Sequence, residues 1–223
     1  NQTTNINFTG MTNNLYKTIF IHFSKTGGSS IENYFGSRDG VITTEVTLTD
    51  GSRKTITESH HMSSEKYVKN NGIDVWQDFF KFSFVRNPWD WFVSHFHWDI
   101  KQYHIALKEG RPIKYRRKFI VEECNSDFKT YVKEGAKRPD WFVFPDMVDY
   151  CKGVDFIGKF ERLQDDFDIV CEKINAPKKT LQHLKKPDPR PHYSKFYDQK
   201  CIDIVYGIMQ KDIDFFKYTF ESK

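Results

Sequence analysis

The sequence predicts an α/β fold in which a mainly parallel sheet is flanked by helices. A short run of β-branched and aromatic residues twice leads through a polar loop into a helical segment, at Thr18–Phe35 and at Phe79–Trp98. Strands that alternate with helices favour a parallel sheet. The length of 223 residues, without a break in composition, suits one domain with a sizeable core. We therefore expect a single domain at residues 16–223, after a flexible, Asn- and Thr-rich lead-in at residues 1–15.

The remaining elements are predicted from hydrophobic periodicity and turn residues. In chain order they are a β-hairpin of Val41–Leu48 and Lys54–Thr57, a helix at Ser64–Asn70, a buried strand at Phe80–Val85, a helix that begins at Pro88, a loop over residues 108–118, a helix at Ser126–Glu134, a strand at Val154–Lys159, and helices at Leu163–Ile174 and near the C-terminus. Pro88 suits the first position of a helix because that position needs no N–H donor. Ser126 is the expected cap of its helix because a hydroxyl can accept a bond from a helix amide.

Composition and charge narrow the class of protein. The net charge is only +4, and no nucleic-acid motif accompanies the basic clusters, so we expect no nucleic-acid partner. The clusters Lys114–Lys118, Lys178–Lys179 and Lys185–Lys186 are expected to form a solvated face, with recognition of an acidic acceptor or of phosphate groups as the alternative. No stretch approaches the roughly 20 apolar residues of a membrane span. We therefore expect no membrane segment in this chain.

The cysteines and histidines do not predict a metal site. The four cysteines contain no C-x-x-C pair, and they fit either two disulfides or buried thiols. The pairs His60–His61 and His95-x-His97 lack thiolate or carboxylate companions at ligand spacing. We therefore expect no metal.

The loop Lys25–Ser30 has the composition of an anion-binding loop. Its glycines allow backbone N–H groups to close around phosphate oxygens, and the following helix adds the positive end of its dipole. Lys25 adds a mobile charge. The order of residues is wrong for a nucleoside-triphosphate P-loop, where the lysine follows the second glycine, because Lys25 precedes Gly27 and Gly28.

The second strand-to-helix junction carries Arg86, with Ser94 about two helical turns later. Ligands of open α/β sheets bind at the carboxyl ends of the strands. The two junctions could therefore hold the two phosphate-bearing ends of one nucleotide.

Four segments resemble sulfotransferase motifs. Phe23–Ile31, FSKTGGSSI, resembles the 5′-phosphosulfate loop P-K-T-G-(G/S)-(T/S)-S, and Phe84–Ser94, FVRNPWDWFVS, resembles the 3′-phosphate motif F-V-R-(N/D)-P-(W/Y/F)-(D/E)-R-x-x-S. Phe156–Phe167 is similar to the F-x-G-R-F-E-x-L block of the branch that contains the glycan 2-O-sulfotransferases and many bacterial homologues. Pro191–Asp198 resembles the Tyr-rich segment of that branch. The segments come in the expected order and span roughly residues 16–218.

The resemblance implies a P-loop-like nucleotide-binding architecture and the donor 3′-phosphoadenosine 5′-phosphosulfate (PAPS). It implies no metal. By position, the residues that hold the 5′-phosphosulfate are Lys25, Thr26, Gly27, Gly28, Ser29 and Ser30. Arg86 and Ser94 would hold the 3′-phosphate, and Lys25 would also act in catalysis by stabilising charge on the sulfuryl and bridging oxygens.

The chain departs from the pattern at two positions. Ser24 replaces the usual proline of the loop, and Trp91 replaces the usual arginine of the 3′-phosphate motif, so one basic contact is missing. A late basic loop commonly completes the nucleotide pocket in this family. Here Arg190, Tyr193 and Lys195 are the candidates for it.

The resemblance also implies a general base, for which histidine has a suitable pKa. The family usually places it just before a short helix, where this chain has His60 and His61. His61, followed by Met62-Ser63-Ser64, fits the position better, and His60 is the alternative. His22, inside the first strand, is expected to be a hydrogen-bonded core residue.

The function expected is PAPS-dependent transfer of a sulfuryl group to an acceptor hydroxyl, with a glycan as the expected acceptor. Two alternatives remain open: a P-loop-like nucleotide kinase, and a non-catalytic module that binds a glycan or nucleotide. We expect a cytoplasmic protein, with the lumenal fragment of a membrane-anchored enzyme as the alternative. The sequence indicates neither the particular acceptor nor the oligomeric state.

Overall fold

The computed structural model describes residues 11–36, 41–138, 142, 144–182 and 190–223. Most of the predicted lead-in, and the basic pair Lys185–Lys186, lie outside the described residues. Cα distances divide the chain into two compact units, Asn1–Arg86 with Met147–Pro187 and Asn87–Asp146 with Asp188–Lys223. Within the described ranges, none of the helices combines the length and apolar character that crossing a bilayer requires.

A four-stranded, mainly parallel sheet is the framework of the first unit, and it confirms the predicted fold class. The described strands are β1 (Thr12–Asn13), β2 (Thr18–Ile21), β3 (Val41–Thr47), β4 (Arg53–Ser59), β5 (Phe80–Val85) and β6 (Phe156–Lys159). The sheet order is β1-β2-β5-β6, in which β5 runs parallel to both β2 and β6, and β1 is antiparallel to β2. β3 and β4 form the separate hairpin that the Asp50-Gly51 turn predicts.

Helices of both units follow the predicted alternation. The described α-helices are α1 (Gly28–Phe35), α2 (Ser64–Asn71), α3 (Ile73–Asp78), α4 (Pro88–Lys108), α5 (Tyr115–Lys118), α6 (Phe128–Gly135), α7 (Met147–Tyr150), α8 (Leu163–Lys173) and α9 (Gln199–Phe216). A π-helical turn spans Phe119–Glu123, and 3₁₀ turns span Phe160–Arg162 and Tyr193–Phe196. In the second unit, α4 has Pro88 at its start, and the Asn87 side chain accepts a bond from the Trp89 amide at 3.1 Å.

Aromatic side chains pack helices α1 and α8 of the first unit against the same face of its sheet. Phe20 of β2 stacks on Phe82 of β5 with ring centroids 5.0 Å apart. Phe35 of α1 and Phe167 of α8 meet edge to face at 6.0 Å in the same buried cluster. Both faces of β2 are buried, which is why Ile19, Phe20 and Ile21 are apolar in succession, whereas β5 alternates its phenylalanines with the buried polar residues Lys81 and Ser83. This packing fixes the start of α1 at the carboxyl end of β2.

Most predicted boundaries lie within two residues of the observed ones, and three differences add an element or change a helix cap. The lead-in was expected to end at residue 15, but β1 lies within it, because a buried carboxylate from β4 binds its backbone (below). Helix α6 begins at Phe128, and its cap is Asp127, whose carboxylate accepts from the Thr130 amide at 2.8 Å, instead of Ser126. The predicted loop 108–118 contains α5.

The β1 edge is attached to the hairpin through Glu58 of β4, which is completely buried. One carboxylate oxygen accepts from the amides of Met11 and Thr12 at 3.0 and 3.2 Å, and the other accepts from the Thr12 hydroxyl at 2.7 Å. Burial raises the pKa of Glu58 to about 7 in spite of these donors. Glu58 lies two residues before His60, so it also fixes the chain that leads to the histidine pair.

We predict that Glu58 makes the stability of the protein depend on pH. Because its pKa is raised from 4.5 to about 7 by folding, the folded state binds this proton more tightly than the unfolded state. Glu58 therefore contributes about 3 kcal/mol to the free energy of unfolding below pH 4.5. This contribution is lost as pH rises to about 7. Denaturant unfolding of wild type and Glu58→Gln across this range should show wild type losing stability relative to the variant.

Glu45→Gln is the matched control, since Glu45 lies exposed on β3 and pairs only loosely with Arg53 at 3.3 Å. Its pH dependence should parallel that of wild type. Parallel curves for Glu58→Gln and wild type would show that Glu58 is not the titrating group.

Candidate active site

The loop between β2 and α1 has the backbone conformation of an anion-binding nest. Lys25 and Gly27 both adopt left-handed conformations, with φ of 65° and 85°. Helix α1 begins at Gly28, and Gly27 at its cap position has no side chain to bond the first amides. Those N–H groups face out of the helix start, where an anion is favoured by the amides and by the helix dipole. A left-handed lysine is a strained residue, and such strain is typical of functional loops.

Close packing explains both glycines of the loop. A Cβ on Gly28 would lie 2.1 Å from Nε2 of His22, and a Cβ on Gly27 would lie 2.7 Å from a Leu163 methyl group. Thr26 is fully buried, and its hydroxyl donates to the Phe23 carbonyl at 2.7 Å. Thr26 therefore shapes the loop with its side chain, and only its backbone N–H suits an anion. Of the other predicted loop residues, Ser29 is half-buried and Ser30 is buried.

Arg86 braces the same loop from the end of β5. Its guanidinium donates to the Lys25 carbonyl at 2.9 Å and lies 3.9 Å over the ring of Phe160, and the residue is only 7% exposed. Phe160 and Leu163 come from the third sulfotransferase-like segment, so this segment packs on the loop and on its arginine. These contacts were not predicted from the sequence, although Phe160 and Leu163 are the F and the L of the F-E-x-L pattern.

The histidines lie beside the start of α1. Nδ1 of His22 and Nδ1 of His60 each lie 2.6 Å from the same oxygen, Oε1 of Glu32. The His22 side chain is 7% exposed, as expected for a hydrogen-bonded core residue, and the His60 side chain is 17% exposed. The Glu32 partnership was not predicted, because 28 residues separate Glu32 from His60.

His61 is the most exposed of the three histidines. Its Nδ1 lies 3.2 Å from the backbone carbonyl of His22, and its ring centroid lies 4.5 Å from that of His22. A carbonyl only accepts, so Nδ1 of His61 carries the hydrogen, and Nε2 is the basic nitrogen of the neutral ring. Burial and the neighbouring His22 charge lower the pKa of His61 below its ordinary value of 6.5.

The remaining predicted residues belong to the second unit. Ser94 is half-buried on α4. Arg190 donates to Asp90 at 2.6 Å, which compensates its charge, and the buried Tyr193 accepts from the Glu221 amide at 2.8 Å. Lys195 is exposed in the 3₁₀ turn Tyr193–Phe196.

Core packing explains the departure at Trp91. Trp91 is 1% exposed and meets Phe144 edge to face at 5.2 Å. It is therefore a core residue of the second unit where the motif has an arginine.

A family model described as Sulfotransferase family matches residues 10–219, nearly the whole chain. The chain belongs to the sulfotransferase family. The searches of curated proteins and of solved structures gave no match. This match confirms the family that the four motifs predicted. Membership of the family implies an enzyme that transfers a sulfuryl group. The roles of individual residues in this sulfotransferase stay predictions.

His22, Glu32 and His60 are close enough together to be considered as metal ligands. However, both nitrogen–oxygen distances are 2.6 Å, the length of a charge-assisted hydrogen bond. Two ligands on one tetrahedral Zn²⁺, each about 2.0–2.1 Å from the metal, are about 3.3 Å apart. The observed geometry is that of a carboxylate bonded directly to two imidazoles.

We predict that Gly28→Ala damages the loop of this sulfotransferase. The added methyl group would overlap His22, so the ring or the start of α1 must shift, at a cost of about 1–3 kcal/mol in the free energy of unfolding. Denaturant unfolding measures this loss.

Gly207→Ala on α9 is the matched control, since nothing lies within 4 Å of its added methyl group. It should leave stability unchanged or raise it by up to about 1 kcal/mol, because alanine favours helices. Equal stability of Gly28→Ala and wild type would contradict the packing described for the loop.

Proposed function

We propose that this sulfotransferase transfers the sulfuryl group of PAPS to a hydroxyl of a carbohydrate acceptor. The observation that carries the proposal is the nest at Lys25–Ser30 on the start of α1, braced through the Lys25 carbonyl by Arg86. Such a nest suits a group with several anionic oxygens, and it lacks the residue order of an ATP-binding P-loop.

The loop fits the 5′-phosphosulfate of PAPS. Backbone N–H groups from residues 26–29 are the proposed donors, since the Ser30 N–H donates to the Gly27 carbonyl at 3.0 Å, and Lys25 supplies a full charge. Arg86 and Ser94 are the proposed ligands of the 3′-phosphate. Of the late loop, the exposed Lys195 is the residue that suits a direct nucleotide contact. Arg190 and Tyr193 are proposed to hold that loop in shape, since their polar groups bind Asp90 and the Glu221 amide.

In the proposed reaction, the acceptor hydroxyl oxygen attacks the sulfur of PAPS. A new S–O bond forms while the S–O bond to the 5′-phosphate breaks, and 3′-phosphoadenosine 5′-phosphate leaves with the bonding electron pair. The hydroxyl proton passes to a histidine and then to water. Positioning and charge stabilisation provide most of the catalysis in such transfers, and Lys25 is the proposed source of charge at the sulfuryl and bridging oxygens.

His61 is the proposed general base, with His60 as the alternative. His61 is exposed enough for an acceptor to reach, and its lowered pKa keeps it neutral at physiological pH. Its Nε2 is the nitrogen that can take the proton, because Nδ1 is bonded to the His22 carbonyl.

The proposed acceptor and location rest on separate observations. The third and fourth motif segments resemble the branch with glycan 2-O-sulfotransferases, which supports a carbohydrate. The Lys114–Lys118 cluster supports it less, because Arg116 and Arg117 pair with the buried Asp99 at 2.7 and 3.2 Å. All four cysteines are buried thiols, the state expected in a reducing compartment, which supports a cytoplasmic location over a lumenal one.

Calorimetric titration tests the donor. We expect 3′-phosphoadenosine 5′-phosphate to bind without Mg²⁺ and more tightly than ATP. Arg86→Ala should weaken it about tenfold to 100-fold, because a charged hydrogen bond is worth about 1.5–3 kcal/mol. Arg53→Ala, on the exposed hairpin, is the control and should bind as wild type does. Tighter binding of Mg·ATP, with no gain in affinity from a 3′-phosphate, would contradict the proposed donor and favour the alternative of a nucleotide kinase.

The pH profile tests the base. Because the pKa of His61 is lowered below 6.5, the neutral base is present at physiological pH and is lost only as pH falls through that lower pKa. We expect kcat/KM for sulfuryl transfer to have an acid limb below pH 6.5 and His61→Ala to lose this limb together with most of the rate. An unchanged rate and pH profile in His61→Ala would contradict His61 as the base. His60→Ala should then lose the acid limb and most of the rate.

A further inference from the structure

The carboxylate of Glu32 is the centre of a buried hydrogen-bond network that the proposed reaction does not yet use. Its side chain is only 10% exposed, and one oxygen contacts Nδ1 of two histidines from different parts of the first unit. His22 follows β2, and His60 follows β4. Glu32 itself lies on α1, one helical turn after Gly28.

The charges of this network fix the protonation of both rings. Burial alone would raise the pKa of Glu32, but the hydrogen bonds and charges of His22 and His60 outweigh it and hold the pKa below its usual value. Glu32 is therefore a carboxylate at neutral pH, and a carboxylate only accepts hydrogen bonds. Nδ1 of His22 and of His60 must each carry a hydrogen. Nε2 is then the basic nitrogen of each ring in its neutral form.

The network reaches both the donor loop and the histidine pair. On one side, Nε2 of His22 is the atom that leaves no room for a Cβ on Gly28. On the other side, the His22 carbonyl binds Nδ1 of His61, and His60 is the direct partner of Glu32. The Glu32 carboxylate thereby connects the first turn of α1 to both candidate bases, to His60 directly and to His61 through His22.

Stability alone does not account for this arrangement. Removing a carboxylate and two imidazoles from water costs several kcal/mol per charge, and apolar residues of the same volume would often give an equally stable or more stable core. By contrast, a carboxylate that orients a histidine is a recurring device for setting which ring nitrogen takes a proton.

We propose that Glu32 is the positioning residue of the sulfuryl-transfer site. It keeps the hydrogen of His60 and of His22 on Nδ1, so that Nε2 is the nitrogen available at each ring. It also stabilises the positive charge that develops in the histidine cluster when the acceptor proton is taken up. Glu32 gains no proton itself in this step. The inference rests on the proposed function and adds to it the group that orients its base.

The test compares Glu32→Gln with wild type in kinetics and in nucleotide binding. Gln keeps the size of the side chain but removes the charge. We expect kcat for transfer from PAPS to a panel of neutral and uronic-acid-containing oligosaccharides to fall about 10- to 100-fold, as for other residues that orient a catalytic group. The KM for PAPS and the affinity for 3′-phosphoadenosine 5′-phosphate should stay near wild type.

The acid limb of the pH profile is the readout that a merely structural role would not move. The titratable groups that face the cluster are Glu32 from α1, His22 after β2, His60 and His61 between β4 and α2, and Glu58 from β4, which interacts with the charge of His60. The charge of Glu32 raises the pKa of His61, so its loss should move the acid limb to lower pH. Glu65→Gln, an exposed glutamate in the first turn of α2, is the matched control and should keep both rate and profile.

Histidine ¹⁵N spectra of the wild-type protein test the network without any substitution. The proposal requires Nδ1-protonated rings for His22 and His60 that change in Glu32→Gln. Nε2-protonated rings in wild type, or a Glu32→Gln variant with wild-type kcat and pH profile, would overturn it. Stoichiometric Zn²⁺ binding that is lost with Glu32, together with a rate that depends on the metal, would overturn it in favour of a metal site.

These readouts separate the two proposals. Absence of nucleotide binding and sulfuryl transfer in wild type would contradict the proposed function and the catalytic part of the inference. The tautomer spectrum would still decide whether Glu32 orients the two rings.

Discussion

The turn from β2 into α1 imposes the constraint on which the first unit depends. The chain passes from a buried strand to a helix within a few residues, and side chains from three directions close on it. Leu163 leaves no room for a Cβ at Gly27, His22 leaves none at Gly28, and Arg86 binds the Lys25 carbonyl. The left-handed backbone that results directs amides outward instead of into a longer helix. The groups that this loop presents suit an anion, which is why we propose it as the donor site.

Buried carboxylates connect this loop to the histidines. Glu32 binds two imidazoles beside the start of α1, and Glu58 attaches the β1 edge to the strand that carries His60 and His61. Burial of either carboxylate costs free energy, but the pKa values of the two groups shift in opposite directions. Glu32 stays ionised because two histidines compensate it, whereas burial dominates at Glu58 and raises its pKa to about 7. The candidate base is therefore positioned by polar contacts on two sides.

Local patterns in the sequence predicted the strand Phe80–Val85, the hairpin and the helix start at Pro88, because apolar runs, turn residues and proline act through their nearest neighbours. The motif resemblance predicted the family, which the family model confirms. Sequence reasoning missed what depends on distant partners. β1 requires Glu58, 46 or 47 residues away, and the bond from Arg86 to Lys25 spans 61 residues. The Glu32 network is of the same kind, so no periodicity or spacing could indicate it.

Hydrogen exchange of the loop amides is the measurement that tests the central claim most directly. The account predicts that saturating 3′-phosphoadenosine 5′-phosphate slows exchange of the amides of residues 26–29 at least about tenfold, with no such effect from Mg·ATP at the same concentration. Protection that appears elsewhere and leaves these amides unchanged would contradict the claim that this loop holds the donor. Equal protection by Mg·ATP would contradict the claim that the donor carries a 3′-phosphate.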